Sequence, residues 1–186
     1  ALPTYALKFD PQVSSIDLTW GLPPAELLDA MAPGAVSPTA VEISDGTYLV
    51  SGGYNKALGG DPLPQAVLLK RIAGTGSEAA KLGVTRIAPS GMGAGPLVVS
   101  RAEHTATPAT AAEGKGALLF GGLSATDAAA GKPVAEFFNQ TTNTFAELAF
   151  TPPAPALRGH GALALPDGQV LIIGGYTESI GKKTLA

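Results

Sequence analysis

Two ten-residue stretches, DGTYLVSGGY (residues 45–54) and DGQVLIIGGY (residues 167–176), carry Asp, Gly, Leu, Gly, Gly and Tyr at matching places. A third apolar run, ALLFGGL, ends the same way at Gly121 and Gly122, so the pairs Gly52–Gly53, Gly121–Gly122 and Gly174–Gly175 recur at spacings of 69 and 53 residues. A strand that closes on two residues without Cβ closes where φ turns positive or another backbone comes near. Writing it three times predicts an array of similar units, each too small to bury its apolar faces alone.

The neighbouring sequence repeats with it. Upstream of each diglycine lies another extended run: SPTAVEIS (37–44), EHTATPAT (103–110) and GHGALALP (159–166). Pro38 stands where His160 stands, and the middle copy is three residues longer, with His104 seventeen residues before Gly121 and His160 fourteen before Gly174. Downstream, VAEFFNQTTNTFAEL (134–148) and YALKFDPQVSSIDLTW (5–20) share an order of aromatic, Asn or Asp, polar turn, then Phe145 or Trp20, and residues 66–82 form a degenerate third version. Asp-Gly in SDGT and PDGQ supplies tight hairpin turns. The expected organisation is a half unit at 4–20, whole units at 36–90 and 97–150, and a half unit at 156–176, with four antiparallel strands in each whole unit.

These residues resemble the kelch repeat, whose units bear a basic residue and His before the first strand, Gly-Gly after the second, and an aromatic turn leading to Trp. Arg101 and His104 in RAEH, Arg158 and His160, the three diglycines and Trp20 carry the resemblance. It implies an all-β fold, a segment of a kelch-type β-propeller of the bacterial, galactose-oxidase-like central-domain type, with about three blades (half, two, half). Propellers usually close with about 4–8 blades. The expected partner is therefore the remainder of the ring in the same parent chain, or a second copy whose head joins this tail.

Composition narrows the function. Only 15% of the 186 residues are charged and the net charge is −3, so no basic face for nucleic acid is expected. No run of about 18 apolar residues is present to span a bilayer as a helix. Twenty-four Gly and 16 Pro punctuate short apolar runs, the composition of strands joined by turns. Cysteine is absent, which removes disulfides and thiolate metal sites. The chain starts at Ala1 with no charged-then-apolar leader, and sparse Lys with abundant Ala, Gly, Thr and Pro suits a secreted or cell-envelope protein of a GC-rich bacterium.

Gly74, Gly76 and Ala79 fit the dinucleotide pattern G-x-G-x-x-A, yet only 77–82 could follow as helix before Gly83 and Pro89. His104 and His160 are the only histidines; two neutral imidazoles could ligate a metal or serve as bases, but their shared repeat position favours a structural role, with Arg101 and Arg158 accompanying them. Copper radical oxidases among kelch-like propellers need a Cys cross-linked to Tyr, which this chain cannot supply. Relatives that bind or isomerise sugars use Arg, Glu and Trp around the channel, and Arg71, Arg86, Glu103 and Glu147 are available. Asn139 opens an N-x-T pattern that reads better as a polar turn, and Asp45, Asp61, Asp127 and Asp167 lie in separate turns rather than in one calcium loop. Residues 23–34 have the pattern of one short helix, and the stretches 55–65 and 124–133 read as insertions between second and third strands, where such scaffolds place recognition. The expectation is a non-catalytic binding or scaffolding module for a protein or glycan, with no cofactor. The alternatives are a propeller enzyme (sugar isomerase, epimerase or hydrolase) with a polar site at the channel mouth, and a structural subunit of a surface assembly.

Overall fold

The computed structural model describes residues 6–10, 15–19, 35–44, 46–55, 60–72, 81–89, 96–112, 114–151, 154–179 and 182–185. Trp20, Asp45, the glycine stretch 73–80 and the candidate helix at 23–34 lie outside them. The described residues are all-β apart from one short helix. The strands are β1 (Ala6–Asp10), β2 (Ser15–Thr19), β3 (Ala35–Val36), β4 (Thr39–Ser44), β5 (Thr47–Ser51), β6 (Tyr54–Asn55), β7 (Asp61–Pro62), β8 (Ala66–Ile72), β9 (Lys81–Arg86), β10 (Thr105–Ala111), β11 (Gly114–Phe120), β12 (Ala135–Asn139), β13 (Thr144–Leu148), β14 (Leu157–Arg158), β15 (Gly161–Ala164), β16 (Val170–Ile173), β17 (Tyr176–Ser179) and β18 (Lys182–Leu185). The helix is α1 (Ala125–Ala129), capped by Ser124, whose hydroxyl accepts from the Asp127 amide.

Two four-stranded antiparallel sheets dominate, in the orders β4-β5-β8-β9 and β10-β11-β12-β13. The hairpins β1–β2 and β15–β16 are two-stranded. Strand β10 neighbours both β4 and β15, so the first strands of three successive units stand side by side. Gly46, at φ 66 between β4 and β5, and Gly168, at φ 87 between β15 and β16, take conformations in which a side chain would be strained. At the β12–β13 turn Asn139 Oδ1 accepts from the amides of Thr141 and Thr142, which accounts for this Asn as a turn residue.

Alternation along each strand decides how the sheets stack. Leu49 and Ile43 of the first large sheet share one apolar cluster with Ala117, Leu119 and Phe138 of the second, so the two sheets pack face to face. Leu119 and Phe138 are fully buried there; truncating a core Phe costs about 3–5 kcal/mol. On the opposite face of the second sheet, Leu118 and Phe120 join Leu157 and Ile172 in another cluster, which seats the β15–β16 hairpin. Each unit therefore faces back to the one before with one set of residues and forward with the alternate set.

The stretches after the diglycines diverge. In the first unit residues after Gly53 form β6–β7 and join β3; in the last, β17–β18 joins β14, so the chain continues in a second hairpin beyond residue 176. In the middle unit the same place holds α1. Gly-Gly-Tyr permits the first arrangement, whereas Leu123 in place of Tyr is buried and leads into the Ser124 cap.

Candidate functional site

The diglycines and histidines meet, but across units. His104 is buried, and its Nε2 lies 2.9 Å from the Ser51 hydroxyl of the preceding unit. A Cβ on Gly52 would overlap the Arg101 carbonyl and stand 2.7 Å from His104 Cε1; one on Gly122 would stand 2.6 Å from His104 Cβ. The next joint repeats this. A Cβ on Gly121 would overlap the Leu157 carbonyl and stand 2.7 Å from His160 Cε1, while one on Gly175 would stand 2.8 Å from His160 Cβ. Each imidazole is thus clamped between the first glycine of the unit before and the second glycine of its own. The backbone completes the clamp: the Gly53 amide donates to Arg101 O at 2.9 Å, and the Gly122 amide to Leu157 O at 2.8 Å. The residue before each histidine is left-handed, Glu103 at φ 57 and Gly159 at φ 59, and Ser37 before Pro38 has φ 55.

These imidazoles are poor acid–base groups. Burial, then the Arg101 charge and His160, push His104 down from 6.5 to about 3, which keeps it neutral near pH 7. Burial also lowers His160, opposed by the Phe120 carbonyl. His160 Nε2 lies 2.9 Å from the Thr105 hydroxyl, and its ring meets the Phe120 ring edge-on at 5.4 Å. No group of three or more metal-ligating residues occurs among the described residues.

Arg101 and Arg158 take different roles. Arg101 is fully buried and paired with fully buried Glu136, Nε to Oε1 at 2.7 Å. Its Nη1 donates to the Gly121 and Val134 carbonyls and its Nη2 to Pro133 O. Glu136 accepts in turn from the amides of Val98 and Val99. This buried pair is charged and well supplied with hydrogen bonds, the condition under which burial is tolerated. Burial lowers the Arg101 pKa, with Glu136 and Asp127 pulling it back. Arg158 stands two residues before its histidine, so Leu157 O makes the contact that Arg101 O makes at the first joint. The Arg158 side chain turns instead to Glu103, 3.7 Å away, and over the Tyr54 ring at 5.5 Å.

Glu103 collects a second cluster that sequence spacing did not single out. Tyr54 OH donates to its Oε1 at 2.7 Å and Tyr176 OH to its Oε2 at 2.5 Å. Tyr54 follows the first diglycine and Tyr176 the third, so two units that flank the middle one reach a single carboxylate. The repeated Gly-Gly-Tyr was the available signal; nothing in the sequence marked Glu103 as the common acceptor. Glu136 was likewise missed, because VAEFF reads as ordinary strand alternation.

The other candidates are dispersed. Arg71 lies on β8, Arg86 on β9 and Glu147 on β13. Strands β8 and β9 pair antiparallel with Ile72 opposite Lys81, so the G-x-G stretch connects a hairpin; Lys81 and Leu82 are strand, not the start of a dinucleotide-binding helix. Asp61 is on β7, Asp127 in α1, and Asp167 accepts from the Gln169 amide in a turn.

No protein-family model matches the chain, and no curated protein matches it. Among solved structures it is similar to a chain in a cryo-EM structure of RAG in complex with one melted RSS and one unmelted RSS. The identity is 13% and the TM-score 0.52, over 98% of this chain and 58% of that one. The likeness is one of fold alone. The chain spans 58% of the length of that neighbour.

Proposed function

We propose that the sheets are successive blades of a kelch-like β-propeller, and that the chain is a non-catalytic binding or scaffolding module of a secreted or cell-envelope protein. The observation that carries the reading is the repeated joint, in which a neutral histidine and a carbonyl three residues before it fill the space left by the preceding unit's glycine. Both histidines are spent on holding units together, which leaves recognition of a protein or glycan to the segments after the diglycines, β6–β7 and α1. The rest of a ring would come from the same parent chain or from another copy.

The Tyr54–Glu103–Tyr176–Arg158 cluster favours a second reading. A partly exposed carboxylate between two phenols and a guanidinium, where units converge, suits a polar site for a sugar-transforming enzyme. Two variants separate the readings on a panel of immobilised neutral and acidic oligosaccharides. Replacing residues 125–130 by a short turn abolishes retention if the loops bind, while Glu103→Gln leaves it intact. The reverse pattern, with turnover of a glycoside or free sugar lost in Glu103→Gln, places the function at the carboxylate.

A further inference from the structure

Of the three diglycines, only the middle one lacks a following tyrosine. Tyr54 and Tyr176 follow the first and third, whereas Leu123 follows the second and leads to α1. The unit without the tyrosine supplies the carboxylate on which the other two meet, Glu103. Each tyrosine also opens the middle strand of a small sheet: β6 lies between β3 and β7, and β17 between β14 and β18. Strands β3, β6, β7 and β14 have two residues each, so few ladder hydrogen bonds secure these sheets. Pairings this short open locally at low cost unless side chains hold them.

Position 103 is an awkward place for a long side chain. Ser37, Glu103 and Gly159 occupy it in successive units, at φ 55, 57 and 59. Glycine takes this conformation freely, whereas a glutamate in it is strained. The backbone contact made here does not call for glutamate, because any residue could offer the carbonyl that accepts from the Gly159 amide at 3.0 Å. What glutamate adds is a two-way grip, with Oε1 on the Tyr54 hydroxyl at 2.7 Å and Oε2 on that of Tyr176 at 2.5 Å. Hydrogen bonds to a carboxylate at such lengths are the strong ones. In the next unit the same space is closed to a side chain, since a Cβ on Gly159 would stand 3.3 Å from Tyr176 Cε1.

We infer that Glu103 is a latch shared by two units: its carboxylate holds the β6–β7 and β17–β18 hairpins closed and couples the opening of one to the opening of the other. When the Tyr54 hydroxyl departs, the carboxylate loses a donor that fixes it and holds Tyr176 less well. The converse follows by reciprocity. A partner that grips either hairpin therefore steadies both. Helix α1 stands beside β17, so the segments after all three diglycines form one connected set. The latch goes beyond the binding reading, which needs these segments but not their coupling.

Amide hydrogen exchange followed by mass spectrometry tests the latch on the 186-residue chain. Glu103→Gln keeps the backbone and the volume; exchange in both hairpins quickens about tenfold or more while β11 is unchanged. Glu103→Gly, which relieves the left-handed strain, opens both hairpins in the same way. Tyr54→Phe quickens β17–β18 about twofold or more, and Tyr176→Phe does the same to β6–β7. Both cross effects vanish in the Glu103→Gln background. Opening remains a minor state even there, so retention through the loops is kept, and the oligosaccharide test and this one fail separately. A hairpin whose exchange is unchanged in Glu103→Gln or Glu103→Gly overturns the inference. So do cross effects that are absent, or that persist without the carboxylate.

Discussion

At the first joint His104 meets Ser51 and lies beside the buried Arg101–Glu136 pair, whereas at the second His160 meets Thr105 and the edge of Phe120, next to the looser Arg158–Glu103 pair. The backbone frame is the same in both: a left-handed residue, a histidine, a carbonyl on a glycine. What differs is the side-chain reinforcement. The frame demands particular conformations and so repeats, while the filling only has to be satisfied and so drifts. The first joint should therefore be the stronger of the two.

The largest effect expected is from Glu136→Ala. It leaves the Arg101 guanidinium fully buried without its carboxylate and frees the Val98 and Val99 amides, a loss of about 3–5 kcal/mol. Chemical denaturation measures it. An apolar pair, Arg101→Met with Glu136→Leu, should still be destabilised, because Arg101 also serves the carbonyls of Pro133, Val134 and Gly121. A double variant as stable as the wild type would show that the pair does not anchor this joint.

Glycine replacements come next and test whether the frame is shared. Gly52→Ala and Gly121→Ala place a methyl group into a carbonyl and an imidazole in addition to straining a positive φ, and each should cost roughly 2–4 kcal/mol. Gly174→Ala carries only the conformational cost, about 1 kcal/mol, in a free chain, since nothing lies within 4 Å of its Cβ. Equal losses at Gly121 and Gly174 would remove the distinction between a filled and an open joint.

Much of this architecture was legible and some was not, for definable reasons. The all-β character follows from Gly- and Pro-punctuated apolar runs, and the order of strands within a unit follows from their repetition. The repeated histidines and glycines were visible as marks, but that Gly52 makes room for His104, two units being joined by residues 52 positions apart, is a property of stacking that no local pattern encodes. Glu136 sits in a strand where a polar residue usually faces water; Arg101 and the Val98 and Val99 amides, all distant in sequence, make its burial tolerable. Glu103 accepts from two tyrosines that lie 122 residues apart, a meeting set by how the units stack. The stretch 124–133 was legible as an insertion but not as a helix; α1 is short, and its start is held by the Ser124–Asp127 capping pair.

Acidification probes the first joint next. An unfolded chain takes a proton on His104 below about pH 6.5, which the folded chain refuses until near 3. The stability gained is complete above 6.5 and is lost as the pH falls toward 3, amounting to about 2 kcal/mol by pH 5. His160, also lowered, adds a loss of the same sign. Melting temperatures at pH 7 and pH 5 measure the slope, and His104→Gln should flatten it. An unchanged slope in that variant would assign the titration to other groups.

The smallest effects compare the two hydroxyls that hold the rings. Ser51 is fully buried, and His104 Nδ1 has no hydrogen-bond partner among the described residues, so Ser51→Ala leaves the whole imidazole unsatisfied. A loss of about 1–2 kcal/mol follows from orphaning a buried polar group. Thr105→Val keeps the shape of the side chain at a half-buried position, and His160 retains its edge contact with Phe120, so a loss below about 1 kcal/mol is expected. Thermal melts at pH 7 rank the two. Should Thr105→Val prove the costlier, the second joint would depend on its hydroxyl more than the first does, and the reinforcement attributed to Arg101 and Glu136 would have to be reassigned.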